Sequence, residues 1–329
     1  NSHTATMTMK STDQQINLTP NEKGWFELVV SASVRDNSSE SLHRTFVIGE
    51  RSKADGKSFQ YGVSTHTSGV GLNDQNRDIF LLTELGVNIV RDEPSQWRRV
   101  ERERGKWTFE RADHFHSALA EADIALQSIL CYGTKWGASD PTAARPDRVA
   151  PKMEPWLNYV RTVVSRYRGR VQYWEVWNEP DIAFWQSTTT EYTRLFEATA
   201  KVIAKLDPRT PLLNGGFAAV AREPNPTFLR DFLAEVKCPE WRVWAYHDYQ
   251  TFAQMLERNR QQQALVKKQS FSGPIWVNEG GFHCLMAGGE SKQAVTLVKK
   301  IASAPALSLP LDGYFWYDLR DDGLDPEEK

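Results

Sequence analysis

The sequence predicts an α/β chain: a (β/α)8 TIM barrel preceded by a small antiparallel β-module, a partial β-sandwich. Three observations carry that prediction. Apolar, β-favouring runs alternate with helix-period segments over roughly 260 residues, the usual span of such a barrel. Two of the runs end in a glutamate followed at once by Pro or Gly, in Trp174-Glu175-Val176-Trp177-Asn178-Glu179-Pro180 and Trp276-Val277-Asn278-Glu279-Gly280. The C-terminal tip of a parallel strand is where this barrel carries its chemistry. The first fifty residues, by contrast, read as short strands divided by polar turns.

Taken in order, residues 1–50 form the accessory module, with strands at 5–9, 15–18, 25–34 and 45–48 and turns at Asn21-Glu22-Lys23-Gly24 and Asp36-Asn37-Ser38-Ser39. Four strands without helical cover leave an apolar face open, so the module is expected to pack on the barrel or on further strands. Residues 51–57 are a charged linker. The barrel occupies 58–329, with strands expected at 59–65, 87–92, 125–131, 171–177, 211–215, 242–247, 274–279 and 312–318. Between them lie helical patterns such as Trp156, Tyr159, Val160, Val163, Val164, Tyr167 and Tyr192, Leu195, Phe196, Thr199, Val202, Ile203, Leu206. A doubly wound sheet would place a Gly-rich phosphate loop after its first strand, and Tyr61-Gly62-Val63-Ser64-Thr65-His66 is no such loop. Eight strands but seven helices are expected, the eighth being truncated or disordered.

Composition excludes several classes. With 40 Lys and Arg against 42 Asp and Glu, the net charge of −2 gives no electrostatic pull toward nucleic acid or a membrane surface. No run is long enough to span a bilayer. Cys131, Cys238 and Cys284 are too few and too scattered for a disulfide framework or a zinc site, and buried free thiols are expected. Gly56-Lys57-Ser58 resembles the tail of a phosphate loop, but Arg51 stands where the earlier glycine belongs. Without His-Glu-x-x-His or another tight ligand cluster, neither a metal nor a cofactor is expected. No Gly-x-Ser-x-Gly turn occurs. The chain opens on a polar, β-like segment rather than a signal peptide.

Two carboxylates facing each other across a cleft are the arrangement that cleaves glycosidic bonds. Further segments narrow the reading: His247-Asp248-Tyr249 after strand six, Trp97-Arg98-Arg99-Val100-Glu101 with Gly105-Lys106-Trp107 after strand two, and Phe315-Trp316-Tyr317-Asp318 at strand eight. With Trp177-Asn178-Glu179-Pro180 and Asn278-Glu279-Gly280, these make residues 58–323 resemble the clan A retaining glycoside hydrolases. The chain is most similar there to family 39, the group of β-xylosidases, α-L-iduronidases and exopolysaccharide endo-glycosidases, and next to family 5. The resemblance implies a carbohydrate substrate, Glu179 as acid/base and Glu279 as nucleophile. A setting outside the cytoplasm fits such a substrate. A non-catalytic carbohydrate-binding protein on the same barrel and a transglycosidase are the rival readings.

Retention requires one protonated and one ionised carboxyl about 5–5.5 Å apart. Arg91, ending strand two, is expected to hydrogen-bond Glu279 and keep it charged, with Tyr249 as a second donor; a structural Arg91–Glu175 pair is the alternative. Glu179, beside Trp177 and Pro180, is expected to be the protonated member, although Glu179-Pro180-Asp181 also fits a plain helix start. Asn178 would reach the sugar 2-hydroxyl. Strict alternation would send Asn178 and Glu179 to opposite sides, so strand four is expected to bulge at its tip. His247 and His66, at the ends of strands six and one, serve either as ligand contacts or as structural histidines. Trp136, Trp185 and Trp316 are candidate sugar platforms or ordinary core, in a chain with 12 Trp.

Overall fold

The computed structural model describes residues 24–33, 39–48, 59–219, 226–306, 309 and 311–320. The chain divides into two units, Asn1–Lys53 and Ala54–Lys329. In the first, β1 (Gly24–Ser33) and β2 (Ser39–Ile48) form an antiparallel hairpin paired without a break from Gly24↔Ile48 to Ser33↔Ser39. The second strand begins six residues before the apolar run at 45–48, because a partner with open N–H and C=O groups extends pairing through polar sequence. The strands expected at 5–9 and 15–18 and the linker lie outside the described residues.

The second unit is a closed, all-parallel barrel. Its strands are β3 (Gln60–Ser64), β4 (Ile89–Asp92), β5 (Ala125–Leu130), β6 (Tyr173–Val176), β7 (Leu212–Leu213), β8 (Trp241–Asp248), β9 (Ile275–Gly280) and β10 (Gly313–Tyr317), in sequence order with β10 closing on β3. The helices are α1 (Leu72–Glu84), a single turn α2 (Trp97–Val100), α3 (Glu110–Glu121), α4 (Met153–Tyr167), α5 (Thr189–Leu206), α6 (Phe228–Glu235), α7 (Phe252–Lys268), a single turn α8 (Cys284–Ala287) and α9 (Glu290–Ala306). Every apolar position expected of α4 is buried. Capping boxes at Thr188/Glu191 and Thr251/Gln254 start α5 and α7, satisfying backbone donors that a helix N-terminus otherwise leaves open. Residues 321–329, where an eighth helix would start, are outside the described set. The three cysteines are free, but only Cys131 is buried as expected; Cys238, just past the end of α6, and Cys284, in the single turn α8 near the surface, are partly exposed. No described helix is long and apolar enough to cross a membrane.

Two apolar regions result from strands covered on both faces. The larger lies between strands and helices and contains Trp156, Tyr159, Trp174, Trp177, Tyr192 and Trp244. The smaller fills the lower barrel interior with Ile89, Leu213, Val243, Ala245, Trp276 and Phe315. Phe315 reaches its place because position 62 is glycine; a Cβ there would collide with the ring. Above this plug, one inward position further along the strands, the interior turns polar.

Candidate active site

Arg91 organises that polar layer. It lies two residues beyond Ile89 on β4, hence on the same inward face. Its Nε and Nη2 donate to the two oxygens of fully buried Glu175 at 2.7 and 2.9 Å, a bidentate pair. Nη1 donates to Glu279 Oε2 at 2.5 Å and to Ser64 Oγ at 3.2 Å, and Nη2 also donates to Asn178 Oδ1 at 2.6 Å. The expected Glu279 contact and the alternative Glu175 pair therefore coexist. Gln127 Nε2 adds a further bond to Glu175 at 2.7 Å.

Glu279 is reached from its other side by Tyr249, whose hydroxyl donates to Oε1 at 2.5 Å. Burial alone would raise its pKa; the charges of His247 and Arg91 and the Tyr249 bond outweigh it and hold the carboxyl down to about 2. The β8–β9 pairing skips a residue, from Tyr246↔Val277 to His247↔Glu279, which turns Glu279 into the barrel beside His247. From the outer layer, buried Lys300 of α9 donates through Nζ to Asp248 Oδ2 at 2.7 Å and to the Gly281 carbonyl at 3.0 Å, tying the tips of β8 and β9 together.

Asn178 and Glu179 both line the cleft, and the chain achieves this by left-handed backbone just past the end of β6. Trp177 has φ 71° and Glu179 φ 43°, a region that non-glycine residues enter at a cost of about 1–3 kcal/mol each. The Trp177 amide donates to the Leu130 carbonyl at 2.9 Å and the Glu179 amide to the Gly215 carbonyl at 2.7 Å. The Trp177 indole donates to the Phe184 carbonyl at 3.0 Å. Asn178 Nδ2 donates to the Tyr132 hydroxyl at 3.3 Å.

His247 bridges the two glutamates. Its Nδ1 lies 2.8 Å from Glu179 Oε1 and 3.5 Å from Glu279 Oε1. Burial disfavours its charged form, but Glu279 and Glu179 more than compensate, so its pKa is raised. Gly216 admits the ring, since a Cβ there would collide with Nε2. One ligand atom each of Glu179, His247 and Glu279 lie within 4.8 Å of one another. The three could geometrically hold a metal ion, but Arg91 already places its charge against Glu279, which opposes a second cation there.

The cleft encloses about 350 Å³ and is lined by His66, Arg91, Asn178, Glu179, Glu279 and Tyr317 among others. His66, half-exposed at the mouth, has Nδ1 3.2 Å from Glu93 Oε1 and Nε2 3.2 Å from the Tyr317 hydroxyl. Three tryptophans stand apart from this group. Trp136 packs edge-on to Trp97 with centroids 5.2 Å apart and donates to the Glu101 carbonyl. Trp185 packs edge-on to Trp177 at 4.9 Å. Trp316 packs with the outer core, while its neighbour Tyr317 lines the cleft. The sequence reading passed over Tyr317, Tyr132, Phe184 and the arginines at 98, 99, 145 and 148 as site residues. Arg98-Arg99 and Tyr317 lie inside motifs that carry the family resemblance, and Arg145 and Arg148 lie in the segment between β5 and α4, which has no periodicity to read. A larger cavity, about 810 Å³, opens at the opposite end of the barrel beside Tyr173, Pro211, Trp241 and Pro274.

Comparisons with known proteins bear on the fold and on the sequence of the barrel's first half. A family model described as glycosyl hydrolase family 10 matches residues 50–196, a little under half of the chain. No curated protein matches. Among solved structures, a family 39 glycoside hydrolase from the gut symbiont Bacteroides cellulosilyticus WH2 is 19% identical with a TM-score of 0.71, over 93% of this chain and 65% of that one. The GH39 enzyme from Xanthomonas axonopodis pv. citri is 18% identical with a TM-score of 0.65, over 80% of this chain and 59% of that one. A GH10 structure from Paenibacillus barcinonensis is 16% identical with a TM-score of 0.59, over 82% and 86%. This chain thus spans about two thirds or less of the length of the two family 39 structures. It has the barrel fold of the family 39 and family 10 glycoside hydrolases and, over residues 50–196, the sequence pattern of family 10.

Proposed function

We propose that the chain is a retaining glycoside hydrolase that cleaves O-glycosidic bonds of an oligo- or polysaccharide by double displacement. The observation that carries this is the approach of Glu179 and Glu279 to within 4.8 Å, in differently built surroundings. That spacing suits a direct nucleophile and leaves no room for the water that an inverting pair holds at about 6.5–9.5 Å. Glu279, kept ionised by Arg91 and Tyr249, attacks the anomeric carbon. Glu179 gives its proton to the departing oxygen, then takes one from the water that releases the sugar from Glu279.

His247 serves both halves of that cycle. With the proton on the carboxyl, Nδ1 accepts from Glu179; with the proton on the imidazole, Nδ1 donates to it. When Glu279 becomes an ester it loses its charge, and Glu179 is then the ionised partner left to His247. Asn178 is oriented by Arg91, which occupies its amide oxygen; the NH2 end, with one hydrogen directed at Tyr132, keeps a second for a sugar hydroxyl. A setting outside the cytoplasm, where polymeric carbohydrate lies, belongs to this proposal.

The test is covalent trapping with a 2-fluoro glycoside. The expected result is a mass increase of one glycosyl unit on the peptide carrying Glu279, absent in Glu279→Gln. Labelling elsewhere, or turnover that survives Glu279→Gln, overturns the assignment.

A further inference from the structure

We propose that the cleft wall formed by α2 and the segment between β5 and α4 binds an anionic group, a carboxylate or a sulfate, carried by the sugar chain beside the bond that is cut. This rests on the hydrolase reading and deepens it. Arg98, Arg99, Arg145 and Arg148 all line the cleft on that side, and the carboxylate placed among them is Asp147. Arg145 donates to both Asp147 oxygens, at 3.1 and 3.0 Å, and Arg98 shares one of them at 3.0 Å. Among the described residues Arg148 makes no ion pair within hydrogen-bond reach of a carboxylate, Asp147 acting on it only through its charge. Its guanidinium lies over the Phe184 ring, 4.6 Å from the centroid, with one long bond to the Ala183 carbonyl at 3.4 Å. Arg99 has a buried Nη1 with no hydrogen-bond partner among the described residues.

The remaining cleft acids offset this excess only at Arg99, whose charge helps hold the Glu93 carboxyl down. Glu93 is held by His66 and Gln96, Glu179 by His247, and Glu279 by Arg91 and Tyr249. Burial first, then the charge of Arg145, push the Arg148 pKa below its ordinary value. Charge is therefore segregated: paired carboxylates at the reaction centre, surplus guanidinium on one wall. The two are directly connected, since Arg98 lies over the Tyr132 ring at 5.5 Å and Tyr132 accepts from Asn178, next to Glu179. A planar guanidinium presents parallel donors that match a carboxylate or sulfate, and Tyr132 and Phe184 give apolar faces beside it. A neutral sugar would leave the surplus uncompensated.

The experiment measures kcat/KM of the 329-residue chain on size-matched neutral, uronate-bearing and sulfated oligosaccharides, at low and high salt. Calorimetric binding to Glu179→Gln runs in parallel. One or both acidic series should be preferred by about tenfold or more, the advantage should shrink with salt, and Arg148→Met or Arg98→Met should reduce it about tenfold through KM. Which acidic series responds separates carboxylate from sulfate. Arg148→Gln replaces Arg148→Met if the latter does not fold. Neutral substrates cleaved as well as acidic ones, or a preference intact in both variants, overturn the anionic site and leave the hydrolase standing. Arg148-dependent binding of acidic chains without cleavage of any overturns the hydrolase and leaves the site. Neither cleavage nor binding overturns both.

Discussion

The lower and upper halves of one barrel interior are filled by opposite rules. Below, Ile89, Leu213, Val243, Ala245, Trp276 and Phe315 exclude water by size and shape alone. Above, Arg91, Gln127, Glu175, His247 and Glu279 occupy the same kind of inward position, yet each needs a specific partner. The switch takes two residues: Ile89 and Arg91 are successive inward positions of β4. The plug tolerates a change of shape at a calculable cost, whereas the polar layer loses every bond that converges on a removed group. Rigidity below is what allows precision above, because Arg91 can serve four acceptors only if its strand does not move.

Glu279→Gln should break the contrast most severely. Turnover should fall about 10⁴-fold or more while the chain still folds, with a stability cost of the same order as that of Glu175→Gln because Arg91 loses its other buried partner, measured by steady-state kinetics and calorimetry. Glu179→Gln should follow, with a loss of about 10²–10⁴-fold that shrinks for substrates whose leaving group needs no proton. Glu175→Gln tests the support rather than the chemistry. It leaves Arg91 buried with half its compensation and should cost about 3–5 kcal/mol of stability by urea titration, with activity lost alongside. Phe315→Ala, in the plug, should cost a similar 3–5 kcal/mol but keep most of the activity per folded molecule. Equal loss of activity in both would erase the distinction between the halves.

The smallest effect concerns pH. Glu279 is held to about 2, so its contribution to stability is present above its ordinary value of 4.5 and is lost as pH falls through about 2. His247 is raised, so its contribution is full below 6.5 and is lost as pH rises through the folded value. Asp92 and Asp181, raised by burial to about 6, act in the opposite sense to Glu279, destabilising as pH climbs from 3.8 to 6. Urea midpoints of the wild type and His247→Gln should therefore converge above pH 6.5; a constant gap would show that His247 is not charged in the folded state.

Much of this was legible in the residues. Both glutamates stand out because Pro and Gly mark where their strands stop, and the eight strands because apolar, β-favouring runs alternate with period-3.6 segments. Three features were not legible, each for a physical reason. Trp316 and Tyr317 differ by one position on a strand covered on both faces, so hydrophobicity does not say which turns inward. Arg91 was weighed as partner of Glu279 or of Glu175, since linear sequence cannot show one guanidinium forking to both. Asn178 and Glu179 were expected to share the cleft through a bulge in their own strand. The chain instead uses two left-handed residues there and shifts register at β9, an outcome that depends on neighbouring strands.

Trp177 links the aim of the proposed proton donor to a place far from the substrate. Its indole is wedged against Trp156 and Trp185, with centroids 5.8 and 4.9 Å away, and its own backbone is left-handed. Loosening that aromatic wedge from behind lets the peptide relax toward extended geometry and swings the neighbouring carboxyl off target. Damage deep in the helical shell of this molecule would thus register as a fault in proton delivery before the barrel unfolds.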